Sequence, residues 1–478
     1  MRAFPLVRRV LVAVLVSGCG YGIPVPTTLD EDHDIIPFSP TKPTTVPGGP
    51  LNIDDVDVEV HDVIGSILVV TWQQTEPGVV HLEWTFEDDE WFSSPETPFE
   101  AGLNQELILG VPYGSTVTWK LVATDGIDTY TTDDDVVIND ELPSEVPYPF
   151  VIKSNPALYD GTNAPYFFAG IPAPGQSWAG WQWWAVIVDR QGRVVWAIES
   201  PPERSFMHAR VARDGKSLLL DHQSYWPTFD EGEAAEIERT AIDGTVLHTY
   251  ETPGMHHPFT DLPDGSIAYG QTTQSYLNEH IAIVHEDGTT EDVFSCEDWL
   301  EEIGVFAFCA SNTLEYDEPS NKFLFSHYTF GTVIEVDRTT GAVERWWGGA
   351  NTPYAFDPED SAFTWQHGSN ITTKGTLLLS TDSYSPTGTE TVVREYEIDD
   401  ANLTLHEVAN WGVGEGLYGG VMGEAYYLPN GNIVRNTGGL ARMQEFTPTQ
   451  EIAWDVSFSA GAIGRSTPIA DLYDLKAP

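Results

Sequence analysis

Residues 184–198 read WAVIVDRQGRVVWAI, which is two apolar runs joined by a short turn that contains Gly192. β-Branched and aromatic residues on both sides of a polar Gly-containing turn predict a β-hairpin. The same design recurs five more times, as AEIERTAIDGTVLHTY (235–250), IAIVHEDGTTEDVF (281–294), TVIEVDRTTGAVERWW (332–347), REYEIDDANLTLHEVANW (394–411) and MQEFTPTQEIAWDV (443–456). Six similar hairpins therefore follow one another along the chain.

A second kind of hairpin lies between these copies. It has a tight turn flanked by apolar runs, as in ARDGKSLLL (212–220), LPDGSIAYG (262–270), EPSNKFLFS (318–326), TKGTLLLST (373–381) and LPNGNIVRN (428–436). Two hairpins in each unit of about 50 residues make four strands per unit, which is the period of a β-propeller. We therefore predict an all-β fold with a six-bladed β-propeller over residues 150–478.

Residues 51–147 have a different pattern. Val56, Val58 and Val60 alternate with acidic residues, and further short alternating runs follow at 79–86 and 116–124. Such strands predict a small β-sandwich of the fibronectin type III or immunoglobulin kind in front of the propeller. Nothing in this segment suggests catalysis.

The first residues have the features of an export signal. Arginines precede a short apolar stretch, and Val16-Ser17-Gly18-Cys19 resembles the cleavage motif of bacterial lipoproteins. This predicts a lipoprotein signal peptide over 1–18, lipidation at Cys19 and a Pro-rich linker over 19–50. The protein is then expected in the bacterial cell envelope, held by its lipid anchor and, since Gly20 follows the cysteine, at the outer membrane. Cys296 and Cys309 are a possible disulfide in that oxidising compartment.

The composition excludes several classes of partner. The chain has 22 Lys+Arg against 73 Asp+Glu, a formal charge of −51, which repels nucleic acid and anionic lipid alike. Hydrophobic residues make up 41% of the chain and Trp occurs 16 times, so the acidic excess belongs to a folded protein. No phosphate-binding GxxxxGK[ST] run is present, and the histidines lack paired metal-ligand spacing. We therefore expect no cofactor and no metal.

Histidines recur at one position of the repeat. His257 and His367 each lie seven residues before the turn residue of the inner hairpin, and His208 lies six before it. The equivalent positions in two other units fall near Ala310 and Gly423. Because inner strands begin at one end of a propeller channel, these imidazoles are expected to cluster there and to bind an anion or a transferable group, with a metal site as the weaker alternative. Alternatively, each is a structural histidine. We interpret Trp365, Tyr328, Tyr426 and Tyr427 as blade packing, with an aryl pocket as the alternative.

Longer stretches carry a family resemblance. FTWQHGSNITTKGTLLLSTD (363–382), MHHPFTDLPDGSIAYG (255–270) and GEAYYLPNGNIVRNTGG (423–439) resemble motifs of the bacterial arylsulfate sulfotransferases. SNTLEYDEPSNKFLFSHYTF (311–330) resembles a further blade of that family. The resemblance covers roughly 150–478. It implies a six-bladed propeller that moves a sulfuryl group from an aryl sulfate to a phenol through a histidine, without a nucleotide donor.

Carried over by position, the resemblance implies that His367 is the nucleophile and that His257 is the second catalytic histidine. The predicted substrate contacts are His208, His256, His327, Tyr328 and Arg394, although Arg394 begins an outer hairpin and a structural role is at least equally consistent with it. Two family positions differ in this chain, because Ala310 replaces a histidine, and His327 or Tyr328 replaces an arginine. The alternative hypothesis is a non-catalytic propeller lipoprotein that binds a ligand or a protein.

Overall fold

The repeats fold as predicted, as antiparallel hairpins that combine into four-stranded sheets. In this computed structural model, residues 51–87, 90–179, 182–224, 235–272, 278–349, 351–385 and 388–477 are described. They all belong to one compact unit. The predicted signal peptide, Cys19 and the linker lie outside these described residues, so those three predictions stay predictions.

Within its described residues, the sandwich has nine strands in two sheets. The strands are β1 (Ile53–Val60), β2 (Leu68–Gln74), β3 (Gly78–Thr85), β4 (Phe92–Ser93), β5 (Thr97–Phe99), β6 (Gly102–Ile108), β7 (Thr116–Thr124), β8 (Thr129–Thr131) and β9 (Asp135–Ile138). One sheet has the order β1-β2-β6, and the other is built on β3 and β7. Trp72 and Trp119 are fully buried between the sheets, which explains the alternating pattern of their strands.

The remaining strands belong to the propeller. The first group is β10 (Pro149–Ser154), β11 (Tyr166–Pro172), β12 (Trp183–Asp189), β13 (Val194–Glu199), β14 (Arg204–Ser205), β15 (Arg210–Val211), β16 (Leu218–Ser224), β17 (Glu236–Thr240), β18 (Val246–Glu251), β19 (Met255–Asp261), β20 (Ile267–Thr272), β21 (Glu279–Val284) and β22 (Thr290–Ser295). The second group is β23 (Ser311–Asp317), β24 (Lys322–His327), β25 (Thr332–Asp337), β26 (Val343–Gly348), β27 (Ala355–Asp357), β28 (His367–Ile371), β29 (Leu377–Ser385), β30 (Gly388–Asp399), β31 (Thr404–Trp411), β32 (Glu424–Tyr427), β33 (Ile433–Asn436), β34 (Arg442–Phe446), β35 (Ile452–Phe458) and β36 (Ser466–Ile469).

Six propeller sheets form from these strands in the described part of the chain. From the inner to the outer strand, blades 2 to 6 are β14/β15-β16-β17-β18, β19-β20-β21-β22, β23-β24-β25-β26, β28-β29-β30-β31 and β32-β33-β34-β35. Strand β27 adds to the outer edge of blade 5, and β10 adds to that of blade 6. The predicted six-bladed propeller is confirmed.

Blade 1 closes the ring. Its inner strand is β36, which comes from the far end of the sequence and pairs antiparallel with β11, from Ala169↔Ser466 to Tyr166↔Ile469. The sheet then continues through β12 and β13. Strands that are distant in sequence thus complete one blade and remove an exposed edge.

The sandwich packs directly on blade 1. Ile64 and Ile67 share a buried apolar cluster with Trp196 of β13. The Ser66 hydroxyl donates to the Val195 carbonyl at 2.8 Å, and the Tyr473 hydroxyl donates to the Leu107 carbonyl at 2.7 Å. The two folds therefore share a core on this side of the ring.

Helical structure is scarce among the described residues. It comprises α1 (Cys296–Glu302) and four short 3-10 turns at Tyr328–Phe330, Glu359–Ser361, Gly438–Leu440 and Leu472–Leu475. Cys296, at the start of α1, is disulfide-bonded to Cys309, so the pair that the sequence left open is formed. Within the described residues, no helix is long and apolar enough to cross a membrane.

Candidate functional site

A cavity of about 260 Å³ lies where several inner strands begin. Its polar lining consists of His208, His257, Ser311, Asn312, His367 and Arg465. Its apolar lining includes Trp178, Met207, Tyr328, Trp365, Val421 and Met422. A concave, mostly apolar site with a few converging polar groups is typical of a small-molecule site.

Three histidines that share a repeat position meet at this cavity. The rings of His208 and His257 lie edge to face with their centroids 6.0 Å apart, and His367 lines the same cavity. The shared position in the repeat therefore places histidines of blades 2, 3 and 5 at one cavity. Their chemical roles are a separate question.

Two side chains of β16 hold the main chains of His208 and His257. The His208 N–H donates to both carboxylate oxygens of Asp221, at 3.0 and 2.9 Å. Gln223, two residues further along β16, accepts the His257 N–H and donates to the His257 carbonyl, each at 3.0 Å. These hydrogen bonds fix the main-chain positions from which both imidazoles extend. Between its two hydrogen bonds to Gln223, His257 has a left-handed φ of 60°.

His367 begins β28 and has a defined ring orientation. Its Nδ1–H donates to the main-chain carbonyl of Trp365 at 2.9 Å. A carbonyl oxygen can only accept, so the proton of the neutral ring sits on Nδ1 and the lone pair sits on Nε2. Nε2 makes no hydrogen bond to any residue that the structure describes. His367 therefore presents the nitrogen that a nucleophile would use.

The cavity histidines are held in the neutral form. Burial lowers the pKa of His367 to about 4 and lowers the pKa of His257 and of His208 well below the ordinary value near 6.5. Arg465 lowers the pKa of His208 further because a nearby cation disfavours the imidazolium. A neutral imidazole is the nucleophilic form of histidine.

Arg465 is the cation at the cavity. Its Nη1 donates to Glu315 at 2.9 Å and to Glu424 at 3.1 Å, while its Nη2 is buried with no hydrogen-bond partner among the described residues. Arg210 also contacts Glu315, at 3.3 Å. Burial opposes the ionisation of Glu315, but the two guanidinium groups outweigh it and lower its pKa.

An aromatic pair forms another side of the cavity. Tyr328 and Trp365 stack with ring centroids 5.9 Å apart at 25°. Trp365 is 48% exposed, so its ring lies at the rim. Trp365 and Tyr328 both line the cavity, so the interpretation of these two rings as blade packing was wrong. Tyr426 and Tyr427 do not line the cavity, since the Tyr427 hydroxyl donates to Glu395 at 2.6 Å and the Tyr426 hydroxyl contacts Ser466.

Three of the predicted substrate contacts lie outside the cavity lining. Arg394 lies on β30, the third strand of its blade, where its guanidinium pairs with Glu407 of β31. His327 is fully buried between Phe325 and Phe330, with ring centroids 4.4 and 5.1 Å away. His256 is buried with its Nδ1 3.2 Å from Glu279. The His256 ring packs edge to face against His257, with centroids 4.1 Å apart, and is not itself part of the cavity lining.

The sequence reasoning missed Arg465, Asp221 and Gln223. Arg465 directly precedes β36, so it stands at the start of an inner strand like the histidines. The histidine positions were identified by their distance from the turn of an inner hairpin. No such turn follows β36, so the position of Arg465 in the repeat could not be identified in this way. Within the described residues, no group of three or more His, Cys, Asp or Glu side chains is arranged to hold a metal ion.

Comparisons with known proteins identify no family for this chain. No protein-family model matches the chain, and no curated protein matches it. Among solved structures, a protein of unknown function from Bacteroides caccae aligns at 13% identity and TM-score 0.43, over 64% of this chain and all of that one.

Two further structures are similar at the same level. A streptogramin B lyase aligns at 14% identity and TM-score 0.36 over 68% of this chain and all of that one. The β-propeller domain of Cps50 (Swd1) from Myceliophteria thermophila aligns at 11% identity and TM-score 0.37, over 67% of this chain and 88% of that one. Because no family model and no curated protein matches, the resemblance to the arylsulfate sulfotransferases stays a prediction.

Proposed function

We propose that this propeller is an arylsulfotransferase-like enzyme that moves a sulfuryl group from an aryl sulfate to a phenol through His367. One observation carries the proposal. The Nδ1–H of His367 is committed to the Trp365 carbonyl, which leaves the Nε2 lone pair for a cavity that also contains Arg465. A nucleophile, a cation and an aromatic wall are the groups that this chemistry requires.

The proposed transfer has two steps. His367 Nε2 attacks sulfur, an N–S bond forms, the aryl O–S bond breaks, and the phenol leaves with the electron pair of that bond. A bound sulfate group raises the pKa of the neighbouring His257, so His257 can carry the proton that the leaving phenolate takes. In the second step, the acceptor phenol gives its proton to His257 while its oxygen attacks sulfur, which restores His367.

Arg465 supplies the charge that the sulfate oxygens require. The family arginine position holds His327 or Tyr328 here, and Ala310 stands where the family has a histidine. Arg465 reaches the same cavity from blade 1. The net charge of the chain is −51, so an anionic substrate needs a local cation in the cavity. The Arg465 guanidinium, with one buried nitrogen that has no hydrogen-bond partner among the described residues, is suited to that role.

A second candidate function is ligand binding without chemistry. The observation that favours it is the pairing of Arg465 with two carboxylates, Glu315 and Glu424, before any ligand enters. With its charge already balanced, the cavity is suited to a neutral aromatic ligand between Trp365, Tyr328 and the two methionines. In that case, the stacked pair would be the main recognition element.

One assay separates the two candidates. A chromogenic aryl sulfate and a phenol are incubated with the wild-type protein, with His367→Ala and with His406→Ala. His406 is exposed on β31 and pairs with Asp357, so it serves as a matched control outside the cavity. We expect transfer by the wild type and by His406→Ala, and none by His367→Ala. Donors that bind without transfer would support the binding function instead.

We also propose that the protein is anchored in the cell envelope through a lipid on Cys19. The support is the Val-Ser-Gly-Cys sequence after an apolar stretch. Mass spectrometry of the membrane fraction should find the N-terminal peptide with acyl groups on Cys19, and Cys19→Ser should release the protein from that fraction. An unmodified N-terminal peptide that starts upstream of Cys19 would contradict this localisation.

A further inference from the structure

The backbone next to His367 has an unusual conformation. Trp365 has φ +51°, in the left-handed region that bulky side chains rarely adopt. This conformation accompanies the contact of its carbonyl oxygen with His367 Nδ1, two residues ahead, at 2.9 Å. The strained residue and the proposed nucleophile are therefore joined by one hydrogen bond.

Gln366, between these two residues, is anchored to the neighbouring blade. Its side chain is fully buried, and its Nε2 lies 3.1 Å from Ser326 Oγ, 3.1 Å from the His327 carbonyl and 3.2 Å from the Thr332 carbonyl. Its own carbonyl accepts from Asn312 Nδ2 at 2.6 Å. Residue 366 is thus held from the side chain and from the main chain by blade 4.

The residues on either side are also fixed. Thr364 exchanges two hydrogen bonds with the Thr381 hydroxyl, at 2.9 and 2.8 Å. The Gly368 N–H donates to Thr313 Oγ1 at 2.8 Å. With its neighbours held in this way, the left-handed turn at residue 365 is imposed by its surroundings, which is how strained backbone persists at functional sites.

We infer that Gln366 and the main chain of Trp365 are positioning residues that hold His367 as the Nδ1–H tautomer, with the Nε2 lone pair toward the cavity. The inference rests on the proposed function only for the role of His367 as nucleophile. The hydrogen bond of one ring nitrogen decides which nitrogen carries the proton. Without the Trp365 carbonyl, the proton is free to move to Nε2, and the lone pair then faces away from the substrate.

The test uses a reaction that needs no sulfotransferase activity. Diethyl pyrocarbonate transfers an ethoxycarbonyl group to an unprotonated imidazole nitrogen and releases ethanol and carbon dioxide. Peptide mass spectrometry gives the rate at His367 of the full chain, normalised to the exposed His406. Trp365→Asn and Trp365→Val form the matched pair, because both remove the indole at similar size, but Asn tolerates a left-handed φ and Val does not.

We expect His367 to react at least about fivefold faster in Trp365→Asn than in Trp365→Val, as the penalty for a left-handed residue implies. Gln366→Met keeps the shape of the side chain without its donors, and it should also slow the reaction of His367, whereas Gln450→Met on the surface should not. Equal rates in the Asn and Val variants, or an unchanged rate in Gln366→Met, would overturn the inference.

Activity then gives a separate result. If the proposed function is correct, Trp365→Val should lower kcat relative to Trp365→Asn at similar KM, because both variants lack the same ring. If the two variants differ in the modification of His367 while no aryl sulfate is turned over, the tautomer inference holds and the proposed function fails.

Discussion

The side chain of Gln223 forms a reciprocal pair of hydrogen bonds with the main chain of His257. Its Oε1 accepts the His257 N–H and its Nε2 donates to the His257 carbonyl, both at 3.0 Å, although Gln223 belongs to blade 2 and His257 to blade 3. The same Nε2 lies 2.6 Å from Asp221, which holds His208. One amide therefore connects two blades and orients two cavity histidines.

Removal of this amide should destabilise the ring and loosen the site. Gln223→Leu leaves the His257 N–H and carbonyl buried without a partner, and each such group costs about 1–3 kcal/mol. For the two groups together, we expect a loss of about 2–6 kcal/mol in the free energy of unfolding, measured by urea titration, together with weaker donor binding. Gln450→Leu, on the exposed side of blade 6, is the control and should change little. An equal effect in both variants would contradict the blade-to-blade role.

Replacement of Arg465 should affect stability and anion binding together. Arg465→Gln leaves Glu424 buried without its cation, and breaking such a pair costs about 3 kcal/mol or more. Arg465→Lys restores the charge without the planar fork, so it should recover the stability better than the donor affinity. Both are measured by urea unfolding and by donor titration.

Arg394→Gln is the matched control for Arg465. It breaks the ion pair with Glu407 on the outer hairpin of blade 5 and lies outside the cavity lining. We expect it to lower stability and to leave donor affinity unchanged. A loss of donor affinity in Arg394→Gln equal to that in Arg465→Gln would show that affinity follows stability and not the cavity cation.

His327 should make the fold sensitive to acid. Burial lowers its pKa to about 3, whereas an exposed histidine titrates near 6.5. Between these two values, the unfolded chain binds a proton that the folded chain does not, so stability falls as the pH decreases through this window. His327→Phe removes this effect and fits the contacts with Phe325 and Phe330.

We therefore expect the stability of His327→Phe relative to wild type to increase as the pH is lowered from 6.5, and to change little above pH 7. Thermal unfolding across a pH series measures this, with His406→Phe on the surface as the control. A difference between His327→Phe and wild type that is constant with pH would contradict the prediction.

The disulfide should stabilise the segment that leads into blade 4. Cys296 and Cys309 are 13 residues apart, and closing a loop of this length in the unfolded chain is worth about 3 kcal/mol. Cys296→Ala with Cys309→Ala should lose about that much in urea unfolding. Because Ser311 and Asn312 line the cavity just beyond Cys309, donor affinity should fall as well. A loss below about 1 kcal/mol would contradict the loop-closure account.

The fold was largely predictable because its signal is local and repeated. Most hairpins carry a turn glycine and each has its own apolar runs, so WAVIVDRQGRVVWAI (184–198) and its relatives predict the outer strand pairs that the structure contains. The closing strand β36 was not recognised because it has no hairpin partner nearby in sequence. Its pairing with β11 spans almost the whole propeller.

The candidate site was predictable for the side chains that occupy the same position in successive repeats. His208, His257 and His367 share a position, and the fold brings them to one cavity. Arg394 was predicted from the family resemblance of the stretch around it. It lies on β30, the third strand of blade 5 counted from the channel, and is not part of the cavity lining. Gln223 and Gln366 act through hydrogen bonds to other blades, and such partners cannot be deduced before the blades are placed side by side.

Arg465 directly precedes β36, the strand that completes blade 1, so ring closure also positions a residue of the cavity. The pairing of β36 with β11 joins the two ends of the propeller, and the same pairing places the Arg465 side chain at the cavity. A chain in which β36 is not paired with β11 would lack the anchor that holds Arg465 beside the cavity. The cavity therefore has its full set of lining residues only when the ring is closed.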